Sequence, residues 1–143
     1  MPAELDEDEI VVRARNRLGR LVFTDARVDG QRLDVIVDTG AELTIGNLAL
    51  QRAMRGRKAG VGALASVTGQ VLTADFETAR ELRLSSLRLN NVLIAFADSP
   101  AFAALRLAHR PAILLGMREL RAFKRVAIDF ATRKVAFDVP AGP

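Results

Sequence analysis

The sequence predicts an all-β domain: a small closed barrel with one or two short helices. Three observations carry this prediction. Apolar runs are short and bounded by turn signals, as in Leu21-Val22-Phe23, Val35-Ile36-Val37 and Ala112-Ile113-Leu114-Leu115. The C-terminal stretch alternates on two arms, Val126, Ile128 and Phe130 sharing one face and Val135, Phe137 and Val139 another. Asp29-Gly30, set between strand-like runs, is a dipeptide of tight hairpin turns. No fixed-period repeat divides the chain, so residues 10–143 are expected to form one domain, with the acid-rich residues 1–9 as a flexible tail or linker.

Taken in order, Ile10 to Arg17 partly alternates and reads as an edge strand, and Leu21-Val22-Phe23 as a second strand. The Asp29-Gly30 turn leads into Arg32 to Val37. Asn47 is a suitable N-cap for a short helix ending at Gly56. The run from Gly60 to Phe76 breaks at Ser66 to Gly69, which predicts a long hairpin with its tip near Thr68. Short strand pieces follow around Ser85-Ser86, and Val92 to Phe96 reads as a buried strand. Ala101 to Ala108 is a helical turn or a surface loop, closed by Pro111. Ala112 to Leu115 is a strand running into Gly116, Met117 to Phe123 a short helix, and Val126 to Val139 a terminal hairpin.

Composition removes several functional classes. With 143 residues, half of them apolar and 27% charged, the chain suits one soluble core. No apolar run approaches the length of a membrane-spanning helix, and the acidic start is unlike a signal peptide. The compartment stays open: the protein works where it is made, or a targeting segment has been removed, in which case the periplasm is an option. The absence of cysteine excludes disulfides, thiolate metal sites and a cysteine nucleophile. A single histidine, His109, excludes a His-rich metal cluster and the Ser-His route to an activated hydroxyl. No metal and no cofactor is expected. The formal charge is +4, and the densest basic run, Arg52, Arg55, Arg57 and Lys58, reads as a solvated helix end and loop. Zero Trp and zero Tyr, with only seven Phe, weaken any reading built on stacking platforms, so nucleic acid is not expected as a partner.

The chemistry concentrates in Val35 to Thr44, V-I-V-D-T-G-A-E-L-T. An acid at the end of a buried strand is costly unless function or a tight hydrogen-bond network keeps it there. The next three residues, Thr39, Gly40 and Ala41, are too small to cover the Asp38 carboxylate. Glu42 lies beyond this turn and is expected on the surface or in a salt bridge, and His109 in an exposed loop.

Together with the A-I-L-L-G-M run some seventy residues later, the helix at Asn47, the Gly-tipped hairpin and the terminal strand pair, this stretch resembles the retropepsin-like aspartic proteases. These are single-domain relatives of pepsin found in retroviruses and bacteria, and the likeness spans about Leu21 to Val139. The resemblance implies that Asp38 is the catalytic aspartate of a peptide hydrolase. It also implies that Thr39, Gly40 and Ala41 shape the catalytic loop, Thr39 locking it to its partner, and that Gly116 packs beneath it. Val67, Thr68, Gly69 and Gln70 take the place of the flap that closes over substrate, although this tip lacks both the multi-Gly run of retroviral flaps and the tyrosine of pepsin-like ones.

Such chemistry needs two carboxyl groups, one to accept a proton from water and one to donate to the carbonyl oxygen. The chain holds one D-T-G; Asp98-Ser99-Pro100 has proline where the loop needs glycine. The resemblance therefore implies a homodimer in which each copy supplies Asp38, with an extended peptide as substrate. It also implies cleft walls formed by Val67, Ile94, Leu105, Ile113 and Leu115. The expected interface is the hairpin Val126 to Val139, with Ile10 to Arg15. The alternative is a catalytically silent barrel that binds peptides or serves as a dimerisation module.

Overall fold

The computed structural model describes residues 9–54, 57–65 and 71–139. The chain begins with β1 (Glu9–Arg13) and β2 (Arg15–Arg17), which belong to different sheets. The single edge strand expected from Ile10 to Arg17 is thus split at Ala14, whose N–H donates to the carbonyl of Arg133 as the last bond on the β1 side before the chain enters the other sheet. β3 (Arg20–Phe23) returns through a two-residue turn at Leu18-Gly19, both at positive φ.

The Asp29-Gly30 turn joins β4 (Ala26–Val28) to β5 (Gln31–Arg32), its two residues at φ 47° and 84°, as a tight twisted hairpin requires. The second arm is shorter than expected. Leu33 interrupts it, and β6 (Asp34–Val37) starts as a separate strand. Its apolar run is buried on both faces: Val35 joins the main core and Ile36 a smaller cluster with Phe102, Leu105 and Leu107. Such a strand shows no alternation, which is why the sequence reads as a continuous apolar run.

β7 (Thr44–Gly46) leads into α1 (Leu48–Ala53), capped by Asn47 as expected. Its Oδ1 accepts from Leu50 N–H at 2.8 Å and Ala112 N–H at 3.2 Å, and its Nδ2 donates to the carbonyls of Leu107 and Arg110. One side chain thus starts the helix and pins the loop that ends at Ala112. β8 (Arg57–Ala65) and β9 (Val71–Leu84) pair antiparallel from Arg57↔Thr78 to Ala65↔Val71. The expected tip, Val67 to Gln70, lies outside the described residues. β10 (Leu87–Phe96) is one long strand, where the sequence suggested pieces broken at Asn90-Asn91; Asn91 takes φ 55° without ending the ladder to β9.

α2 (Pro100–Ala104) realises the helical alternative for the segment after Asp98, and α3 (Met117–Leu120) follows β11 (Ala112–Leu115). β12 (Arg125–Asp129) and β13 (Lys134–Asp138) form the terminal hairpin. With β1 they make a three-stranded sheet in the order β1-β13-β12. Phe137 fastens this sheet to the rest, its fully buried ring 6.3 Å from that of Phe23 and 4.9 Å from that of Phe123. Burying a side chain of this size contributes about 3 kcal/mol.

The remaining strands form the large sheet, in the order β2-β3-β6-β11-β7-β10-β9-β4-β5, with β8 also on β9. The fold class is as expected. Among the described residues, however, the hydrogen-bonded path ends at β2 and β5, so the barrel is curled and open at a seam, not a closed ring.

Candidate active site

β6 and β11 run parallel, Leu115 facing Val37, and the chain leaves β6 through Asp38. The Asp38 N–H donates to the Leu115 carbonyl at 3.0 Å, so the first residue of the loop is held by the sheet. Its carbonyl accepts from Ala41 N–H at 3.2 Å, closing the Asp-Thr-Gly-Ala turn, and its Oδ1 accepts from Gly40 N–H at 3.0 Å. These bonds present a carboxylate whose side chain remains 24% exposed, while Thr39 and Gly40 are exposed beside it. A Cβ on Gly40 would stand 3.3 Å from Asp38 Oδ1, so glycine keeps the carboxylate clear.

A second layer supports this turn from beneath. A Cβ on Gly116 would lie 2.4 Å from the Leu43 carbonyl oxygen and 3.0 Å from that of Ala41, so only glycine permits the approach. Met117 and Arg118 donate their N–H groups to the carbonyls of Ala41 and Glu42 at 2.8 and 2.9 Å. Thr44, fully buried, accepts from Gly116 N–H at 3.1 Å and donates to Glu119 Oε1 at 2.5 Å. Arg121 grips Glu42 through both guanidinium nitrogens at 2.6 and 3.0 Å, the salt bridge expected for Glu42.

Continuing the β3–β6 register, in which Val22 faces Ile36, sets Arg20 opposite Asp38. Its Nη2 stands 3.8 Å from Asp38 Oδ1 and 3.5 Å from the Val37 carbonyl. A cavity of about 360 Å³ opens at this point, lined by Arg20, Asp38 and Thr39 together with Ile128 and Phe130 of the terminal hairpin.

The sequence-predicted residues Asp38, Thr39, Gly40, Ala41 and Gly116 therefore meet in one place. Val67, Thr68, Gly69 and Gln70 fall outside the described residues. The expected cleft walls are corrected: Ile94, Ile113 and Leu115 are fully buried in the main core, and Leu105 is 4% exposed in the smaller cluster with Phe102 and Leu107. His109 is exposed, as expected. Sequence reasoning missed Arg20, Thr44 and Glu119. Arg20 was legible in principle, since the Leu18-Gly19 turn fixes which residue returns opposite which; nothing in the sequence marks the pairing of Thr44 with Glu119.

The sequence model of the family described as aspartyl protease matches residues 24–118, more than half of the chain and all of this loop system except Arg20, Glu119 and Arg121. The chain belongs to the aspartyl protease family. Among solved structures, this aspartyl protease is similar to a retropepsin-like aspartic protease from Rickettsia conorii. The two are 20% identical, with a TM-score of 0.61 over 94% of this chain and 93% of that one. At that identity the likeness establishes a retropepsin-like fold. No curated protein matches the chain. Among the described residues of this family member, no group of three or more His, Cys, Asp or Glu could hold a metal ion, and no helix is long and apolar enough to cross a membrane.

Proposed function

We propose that the protein is an aspartic endopeptidase whose dyad is assembled from Asp38 of two identical chains. The observation that carries this reading is the Asp38 carboxylate, held by the Gly40 N–H and left partly open on a loop that the sheet and Gly116 make rigid. One such carboxylate is half of the required machinery. Two in contact share a proton, since both cannot ionise together. The ionised Asp38 takes a proton from a water molecule that attacks the peptide carbonyl, and the protonated Asp38 gives its proton to the carbonyl oxygen. The first Asp38 then passes the proton it took to the amide nitrogen, the second takes one back from a hydroxyl of the tetrahedral diol, and the C–N bond breaks to leave a carboxylic acid, an amine and the dyad as it began.

In this reading Thr39 links the two loops across the twofold axis, and Gly40, Ala41 and Gly116 set the loop's shape. Val67 to Gln70 belong to the flap over an extended peptide. The domain is residues 10–143. End strand β12 supplies the interface, on the side of the terminal sheet away from β1: Val126, Ala127 and Ile128 are half-buried, and Phe130 beyond them is 63% exposed. A stable interface of this kind buries on the order of a thousand Å². Titration with a statine-type transition-state mimic tests the dyad. The reading expects one inhibitor bound per two chains; one per chain, or no binding, contradicts it.

A further inference from the structure

The seam at which the large sheet stays open is basic. Arg15, Asn16 and Arg17 of end strand β2, with Gln31 and Arg32 of end strand β5, line one cavity of about 660 Å³ that also includes Arg110. The curl of the sheet thus brings both end strands to one hollow without joining them. An adjoining cavity of about 630 Å³ shares Arg15, Asn16 and Thr24 and adds Arg13, Arg133 and Lys134. Together they form one trough whose seven cations face two acids, Asp25 and Asp34, so its positive charge exceeds the +4 of the whole chain.

Little of this charge is used internally. Arg110 pairs with the nearly buried Asp34 at 3.5 Å, and Arg17 donates to the carbonyls of Leu105 and Arg106. Arg13, Arg15, Arg32 and Arg133 are exposed and make no ion pair among the described residues.

The surroundings identify the chemistry of an occupant. End strands offer unpaired backbone groups that an extended polypeptide can satisfy. Arg15 and Arg17 share one face of β2, the period-two spacing that side chains of an added strand also follow. Nucleic acid is disfavoured by the absence of Trp and Tyr. Within the chain, Glu9 opens β1 at the end of that strand remote from Arg13. We propose that the seam between β2 and β5 is an exosite that takes an extended acidic segment of another protein by strand addition. Asp34 at the trough and Asp38 at the open loop flank the same strand, about 13 Å apart by strand rise, so the exosite is separate from the cleft.

The test uses the full chain carrying Asp38→Asn, so that no probe is cut and the result does not depend on the proteolytic reading. Fluorescence anisotropy would follow a labelled peptide alternating Glu and Val, the same peptide N-methylated at alternate amides, and a single-stranded oligonucleotide of equal charge. The peptide is expected to bind best, more weakly as salt rises, and to lose affinity on methylation. Joint replacement Arg15→Gln, Arg32→Gln and Arg133→Gln should weaken it roughly tenfold. Replacing exposed Arg52 and Lys124, which lie outside the trough, should not. Unchanged affinity in the triple variant, equal binding of the methylated peptide, or tighter binding of the oligonucleotide would overturn the proposal.

Discussion

Thr44 and Glu119, 75 positions apart in the chain, meet in the interior at 2.5 Å, and the same hydroxyl receives the Gly116 N–H. This contact fastens α3 to the underside of the loop that carries Asp38. Thr44→Val leaves both a carboxylate oxygen and a backbone N–H without their partner. A buried polar group so orphaned costs about 1–3 kcal/mol. Chemical denaturation should show a loss in that range, and peptide cleavage should fall with it because the loop loses its support.

Gly116→Ala places a methyl group against backbone, 2.4 Å from the Leu43 oxygen, where no side-chain rotation relieves the clash. Overpacking of this kind costs about 1–3 kcal/mol. The variant should have a lower denaturation midpoint than wild type; an unchanged midpoint would mean that the loop is less closely packed than described.

Arg20 and Asp38 form an ion pair whose side chains are 41% and 24% exposed. Solvent screening limits such a pair to under about 1 kcal/mol of stability. Arg20→Met should therefore leave the denaturation midpoint nearly unchanged. Any large change it brings in cleavage then belongs to the site and not to folding.

Asp129, the last residue of β12, accepts from the N–H groups of Thr132 and Ala131 in the turn that follows. The Thr132 hydrogen bonds foremost, then that of Ala131 and the charge of Lys134, hold its carboxyl below the ordinary value of 3.8. A depressed folded-state value contributes stability that is present above 3.8 and lost as pH falls through the folded value. Asp129→Ala should be less stable than wild type at neutral pH, and thermal melts should show the gap narrowing as the pH drops below that range.

Much of this architecture is legible in local chemistry. Asp29-Gly30 specifies its turn, Asn47 its cap, and the alternation from Val126 to Val139 its hairpin, because each rests on neighbours in sequence. The Asp38 loop is legible for the same reason. What the sequence conceals is long-range. Whether a curled sheet closes depends on strands at opposite ends of its path, so the seam between β2 and β5 has no local signature. Ile94, Ile113 and Leu115 look like cleft walls until the fold turns all three into the main core with Phe23, Val35 and Leu50. Thr44 and Glu119 are ordinary polar residues until the fold buries them together.

If the terminal sheet joins two chains, its exposed aromatic should matter more to assembly than to folding. Phe130→Asp should keep the melting temperature of the isolated chain, raise the dimer dissociation constant in sedimentation, and make cleavage depend more steeply on protein concentration.

Asp38→Asn tests most directly whether Asp38 does the chemistry, since the amide preserves shape while removing the ionisable group. Peptide cleavage by the purified variant should fall by roughly a thousandfold or more, with circular dichroism and sedimentation unchanged. Cleavage at the wild-type rate would contradict the assignment.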